Sequence, residues 1–200
     1  MKKPAHLISI MLLASSSFTA IAEEGKFSPH TFGIQAAGGS AEYKGSSEDG
    51  DGVAHVYTYY NYAFSSDYSV ETGITAGTDA DDWKCTEVNG NEWVCRSDNR
   101  PIFDLQADKL EYSTIVMALK AKYQLSKRNS LYAKVGGQFY DYEFSRNNAR
   151  VADKSGFGAL IEGGWEIRWS SGWGLNAAYQ YSDMGDLEVT SFNVGTSYSF

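Results

Sequence analysis

The sequence predicts an all-β fold: eight antiparallel strands closed into an up-and-down barrel with its apolar face turned outward. Three observations predict it. From residue 31 onward, stretch after stretch alternates apolar and polar side chains with the period of 2 that a strand imposes. The breaks between these stretches alternate in length, loop then tight turn, to the end of the chain. Large aromatic residues on the apolar parity collect at the strand ends nearest the tight turns.

Each strand shows the pattern in its own residues. The first, residues 31–43, sets Phe32, Ile34 and Ala36 against Gly33, Gln35 and Ala37, and an acidic break covers 44–52. The second, 53–64, sets Val56, Tyr60, Tyr62 and Phe64 against His55, Tyr57, Tyr59 and Asn61. Ser65-Ser66-Asp67 is a tight turn of polar turn-formers. The third strand, 68–77, carries Tyr68, Val70 and Ile74 opposite Ser69, Glu71 and Thr75. A long charged excursion fills 78–109. The fourth strand, 110–125, sets Ile115, Met117, Leu119 and Tyr123 against Thr114, Lys120, Lys122 and Gln124. A turn at 126–129 leads to the fifth strand, 130–144, where Leu131, Val135 and Phe139 oppose Tyr132, Lys134 and Gln138.

After a polar loop at 145–154 comes the clearest stripe of the chain. In the sixth strand, 155–169, Phe157, Ala159, Ile161, Gly163, Trp165, Ile167 and Trp169 face Gly158, Glu162, Gly164, Glu166 and Arg168. Ser170-Ser171-Gly172 turns it into the seventh, 173–182, with Trp173, Leu175 and Tyr179 opposite Asn176 and Gln180. A loop at 183–186 precedes the last strand, where Phe192, Val194, Tyr198 and Phe200 alternate with Ser191, Asn193, Ser197 and Ser199.

The start of the chain reads differently. Lys2 and Lys3, an apolar run at 7–13 and the small-x-small site Ala20-Ile21-Ala22 make residues 1–22 a secretory signal peptide, removed to leave a barrel domain of 23–200. Loss of the two lysines takes the net charge from −8 to about −10. So acidic a chain is not built to bind nucleic acid. Mean hydropathy is −0.38, and no later long apolar run exists, which excludes helical membrane spans but not barrel strands, whose alternation averages to polar.

The aromatic residues decide which side of the barrel meets which solvent. With the tight turns at one end, Phe32, Tyr62, Phe64, Tyr68, Tyr123, Trp165, Trp169, Trp173, Tyr198 and Phe200 arrive at one level on the apolar parity. A soluble core has no reason to concentrate Trp and Tyr at one end; a membrane interface has. An even strand count with short turns at one end and long loops at the other is the pattern of a transmembrane barrel. Closure then removes sheet edges that a bilayer would leave unpaired, at several kcal/mol per group. A soluble lipocalin-like barrel would show the reverse parity, with an apolar lumen.

The signal peptide, the eight-strand rhythm and the terminal Tyr198-Ser199-Phe200 together resemble the small outer-membrane barrels of the OmpA/OmpX type. The resemblance implies a monomer in the Gram-negative outer membrane, in contact with its lipid and lipopolysaccharide. It also implies handling by the barrel-assembly machinery through the C-terminal strand and its final aromatic residue. It does not imply the peptidoglycan anchor of full-length OmpA, because no further domain is read after Phe200.

The polar parity carries Glu71, Lys120, Lys122, Lys134, Glu162, Glu166 and Arg168. An eight-stranded barrel is only wide enough for side chains to fill, so these charges are expected to form a salt-bridge network that plugs the lumen; the alternative is a narrow pore. In the long excursion Cys85 and Cys95 are symmetric about Gly90, which sets 86 against 94 and 88 against 92 around an Asn89-Gly90-Asn91 loop. A disulfide across the base of that hairpin is expected, worth ~3 kcal/mol for a loop of this size and suited to an oxidising compartment. Two cysteines without a neighbouring His do not make a zinc site.

Acidic residues crowd the outer loops (Glu48, Asp49, Asp51, Asp79, Asp81, Asp82, Asp183, Asp186), but none of these runs has the spacing of an EF-hand. No metal or cofactor is expected. Lipid A-modifying enzymes on such barrels need His with Ser or Asp at the outer rim. Here His30 lies at the wrong end and His55 stands alone, so a non-enzymatic role is expected. What remains is a structural or cell-surface interaction role of the adhesion type, in which an extracellular ligand meets the loops and the Cys85–Cys95 hairpin.

Overall fold

The computed structural model describes residues 28–46, 52–80, 83–88, 92–97, 102–105, 107–147 and 149–200, with the backbone alone between 83 and 97. The signal peptide and the loop residues Glu48, Asp49, Asp51, Asp81 and Asp82 lie outside the described residues, as do the side chains of Cys85 and Cys95.

Eight strands form a closed antiparallel barrel: β1 (His30–Tyr43), β2 (Gly52–Ala63), β3 (Tyr68–Ala80), β6 (Lys109–Gln124), β7 (Asn129–Arg146), β8 (Ala149–Arg168), β9 (Trp173–Met184) and β10 (Leu187–Ser199). Strands β4 (Trp83–Val88) and β5 (Glu92–Ser97) make a separate two-stranded hairpin between β3 and β6. Each barrel strand pairs with its sequence neighbours in the barrel, and β1 pairs with β10 from Thr31 opposite Ser199 to Tyr43 opposite Leu187. The expected eight-stranded up-and-down barrel is the fold.

Burial follows the alternation. Along β6 exposed and buried residues alternate without a break from Lys109 to Lys120, and the buried set is the one that points into the lumen. The outward set is exposed and apolar on every barrel strand: Ile34, Val56, Ile74, Met117, Val135, Ile161, Leu175 and Val194 among others. A continuous apolar belt of this extent, far beyond the patch a soluble monomer shows, needs lipid as its solvent.

The turn end is held by local polar contacts. Ser65 Oγ accepts hydrogen bonds from the backbone N–H groups of Asp67 and Tyr68 at 3.3 and 3.0 Å, and Ser126 Oγ accepts one from Asn129 at 3.2 Å. Gly172, at φ +88°, supplies the left-handed residue of the third turn.

The loop end departs from the sequence reading in two places. The expected polar loop at 145–154 is a continuation of β7 and β8, which pair to Arg146 opposite Ala149, with one irregularity between Phe144 and Ser145 that leaves Val151 unpaired. Above the bilayer both faces of a hairpin meet water, so polarity there does not mark a loop. The charged excursion before β6, in turn, is not wholly exposed. Residues 102–105 and 107 fold back over the barrel mouth, closed by an Ile102 N–H bond to the Ala107 carbonyl at 2.7 Å, with a short 3₁₀ turn at Phe103–Leu105.

Candidate functional site

The interior is built in layers. Nearest the middle, Lys134 on β7 stands between two carboxylates, 2.8 Å from Glu71 Oε1 and 2.7 Å from Glu162 Oε2. All three are only 2% exposed. Glu162 is Lys134's direct cross-strand partner, whereas Glu71 reaches it from β3, across β6. Tyrosine hydroxyls occupy remaining lone pairs: Tyr57 donates to Glu71 at 2.9 Å and Tyr132 to Glu162 at 2.8 Å. The lysines also lie over rings, Lys134 Nζ 4.7 Å from the Tyr57 centroid and Lys120 Nζ 4.0 Å from that of Tyr132.

A second cluster lies toward the turns. Glu166 takes Lys120 at 3.2 Å and Arg168 at 3.0 Å. The seventh charge, Lys122, stands apart, with no carboxylate at ion-pair distance among the described residues. Beside these clusters an amide net crosses the barrel: Gln35 donates to Asn176 at 2.8 Å, and Asn193 to Gln180 at 2.9 Å.

The rings that reach into these layers need room on the neighbouring strand. A Cβ at Gly33, Gly73, Gly77 or Gly164 would overlap the ring of Tyr59, Tyr57, Tyr112 or Tyr132 respectively. Inward glycines therefore serve as the floor on which tyrosine rings lie, and the sequence parity places both without revealing the pairing.

The outer third of the lumen is apolar instead, which the sequence reading missed. Ile102, Phe103 and Ala107 pack on Leu110, Phe144, Met184, Leu187 and Val189, all 3% exposed or less. Phe103 lies 5.6 Å from Tyr43 and edge-on to Phe144 at 5.8 Å. It holds φ +53°, a backbone conformation disfavoured for a bulky side chain, and the surrounding rings hold it there. The parity of Leu110, Phe144 and Leu187 was the available signal, since inward positions near the loops are apolar rather than charged.

The rim beyond this cap presents an open sheet edge. Strand β8 pairs with β9 only from Leu160 opposite Ser182 down to Arg168 opposite Gly174. From Ala159 back to Ala149 no strand pairs with it on that side among the described residues. The cause lies in the β9–β10 hairpin, which turns inward at the rim: a Cβ on Gly158 of β8 would meet the Asp183 carbonyl and one on Gly185 the Tyr140 hydroxyl, and Met184 and Leu187 on either side of the turn are buried in the cap. Lys44 holds that inward hairpin, donating to the Gly185 carbonyl at 2.7 Å and pairing with Glu188 at 3.2 Å. The separate β4–β5 hairpin sets Cys85 opposite Cys95, 86 opposite 94 and 88 opposite 92, the register required by symmetry about Gly90.

Of the aromatic residues at the turn end, Phe32, Tyr62, Phe64, Tyr68, Tyr123, Trp165, Trp173 and Phe200 are exposed. Trp169 and Tyr198 are half-buried, Tyr198 against Trp173 at 5.3 Å.

A barrel that is apolar outside, lined inside by polar and charged side chains and ringed by aromatic residues at its turn end is a transmembrane β-barrel protein. The family described as outer membrane protein beta-barrel domain matches residues 8–200, and the chain belongs to it. It is an outer-membrane protein; in such barrels the short turns face the periplasm and the longer loops the outside.

Among solved structures it is similar to Ail, the attachment invasion locus protein of Yersinia pestis, at 14% identity and TM-score 0.57, over 87% of this chain and 100% of that one. Ail in complex with the heparin analogue sucrose octasulfate aligns at 16% identity and TM-score 0.55, over 86% and 97%. Neisserial surface protein A aligns at 11% identity and TM-score 0.64, over 86% and 98%. At these identities the likeness is one of fold. No curated protein matches the chain.

Proposed function

We propose that this barrel is a non-enzymatic cell-surface interaction protein whose partner meets the loop end, while the lumen carries no solute. The observation that carries the proposal is the β8 edge from Ala149 to Ala159, with which no strand pairs on the β9 side among the described residues, roughly 34 Å of strand standing beyond β9. Its free N–H and C=O groups are a template for an added strand of a partner. The ion-paired layer and the apolar cap, stacked along the lumen, support a closed interior over the narrow-pore alternative, which needs a continuous water path. Contact with lipopolysaccharide and delivery through the barrel-assembly machinery belong to the same reading and rest on family membership.

Ail has been seen with a heparin analogue, but a sulfated polyanion does not suit this rim. Glu42, Asp153, Asp183, Asp186 and Glu188 stand there, and the cations among them are engaged: Lys44 with Glu188, Arg150 with Glu143 and Lys154 with Asp186. A polypeptide adding to the edge fits better than a polyanion.

The test is attachment of a non-adherent Gram-negative strain displaying the protein to epithelial monolayers. Wild type is expected to raise attachment, and Val151→Lys with Ser155→Lys, both at exposed positions, to abolish the gain by placing charge along the edge. Attachment equal to that of the empty strain, or undiminished in the edge variant, would remove this function.

The Cys85–Cys95 bond is proposed as the clamp that keeps the β4–β5 hairpin ordered. Protein from the native compartment, denatured without reductant, is expected to bind no thiol label, and two labels per chain only after reduction. Two labels before reduction would show the cysteines free.

A further inference from the structure

The periplasmic end of the lumen holds a feature that the surface role does not use. A cavity of about 380 Å³ opens between the β6–β7 and β8–β9 turns, lined by Lys122, Lys127, Arg128 and Arg168 with Glu166 and Trp169. Four cations there face one carboxylate. That carboxylate is already shared between Lys120 and Arg168, and Arg168 is further fixed by donating to Ser197 and to the Gly172 carbonyl, each at 3.2 Å. Lys122, Lys127 and Arg128 therefore keep uncompensated charge: no ion pair holds any of them among the described residues. Asp67, on the next turn, accepts the Lys122 backbone N–H through its carbonyl at 2.7 Å without pairing with its ammonium group.

Trp169 connects this cavity to the membrane. It follows the outward parity of Trp165 and Ile167 on the sheet, yet it is half-buried and forms part of the cavity wall. One side of the cavity is thus an aromatic residue of the interfacial ring, at the depth where the phosphates of the periplasmic leaflet lie. Guanidinium groups match a phosphate with paired donors, lysines supply point charge, and an interfacial indole offers its N–H beside an apolar body.

We propose that this cavity binds the phosphate of an anionic phospholipid headgroup from the periplasmic leaflet, held by Lys122, Arg128 and Arg168 against Trp169. A soluble phosphate presents the same chemistry without the acyl chains that would lie along the neighbouring aromatic ring, so the two sources are separable by experiment.

The ¹⁵N-labelled barrel, folded in a zwitterionic detergent, is titrated with dihexanoyl phosphatidylglycerol, dihexanoyl phosphatidylcholine or inorganic phosphate, and the Trp169 indole resonance (assigned with Trp169→Phe) is followed. Phosphatidylglycerol is expected to shift it saturably, with apparent affinity about tenfold or more above either of the other two and falling as salt is added. Lys122→Gln with Arg128→Gln is expected to cost about tenfold or more of that affinity. Lys109→Gln at the far end should change nothing. Retained heat-modifiable gel migration shows that the double variant is folded. Equal responses to phosphatidylglycerol and phosphatidylcholine, or an unaltered titration in the folded double variant, would overturn the site. Inorganic phosphate binding as tightly as phosphatidylglycerol would overturn the lipid assignment and leave a soluble-anion site.

Discussion

Replacing Lys134 by alanine is expected to destabilise the folded barrel by on the order of 3–5 kcal/mol, the usual cost of leaving a buried charge without its partner. Two carboxylates lose their shared cation here, because Glu71 and Glu162 both lie within 2.8 Å of Lys134 Nζ in the wild type. The next cation, Lys120, is ion-paired with Glu166, and the tyrosine hydroxyls are neutral donors. The midpoint of urea unfolding, read from the fraction of protein migrating as folded on an unboiled gel, should drop accordingly. Adding Glu71→Gln and Glu162→Gln removes the orphaned charges and should recover much of the loss, because a neutral set of similar shape is tolerated where half a pair is not. A loss below about 1 kcal/mol for Lys134→Ala would mean that water reaches the carboxylates. That outcome would favour the pore.

The second large effect is at the outer cap. Phe103→Ala removes a ring that is 2% exposed and packed on Tyr43 and Phe144. Such truncations typically cost about 3–5 kcal/mol. Relief of the left-handed backbone at residue 103 is not expected to offset this, since alanine is still disfavoured at φ +53°. The loss should be local. On intact cells an added protease should cut between 102 and 108 in the variant and not in wild type, while the gel migration of the barrel is kept. Planar-bilayer recordings should stay silent for both proteins, because the ion-paired layer below the cap is untouched. Ohmic steps appearing on loss of the ring would show that the cap alone closed the lumen.

How much of this was legible depends on how many solvents a residue can face. Along β3 and β6 each side chain meets either lipid or lumen, so alternation reads through cleanly and the strands fall where expected. Above the bilayer the choice disappears: Arg150, Asp153 and Lys154 are exposed on both faces of β8, so polarity there predicts a loop where the chain is a strand. The Lys134–Glu162 contact lies on one ladder rung and follows from hairpin register. Glu71 reaches Lys134 from two strands away, which depends on how far the strands tilt, and parity carries no information on tilt. Ile102, Phe103 and Ala107 escaped for a third reason. They follow no period, because they are buried against a wall that exists only once the barrel has closed.

That closure also sets a timetable for folding. Thr31 and Ser199 bond at 2.7 Å although 168 residues of chain separate them, and the Phe200 N–H reaches the His30 carbonyl at 3.0 Å. Every other neighbouring pair of barrel strands is a local hairpin except β3–β6, which spans the excursion. Short-range pairs form before the long loop-closure entropy of β1 and β10 is met. Until then the growing sheet carries two raw edges, β1 at one margin and its newest strand at the other, each able to pair with a neighbouring molecule. The arrival of β10 ends that exposure at a single event, so the seam is where assembly and aggregation compete.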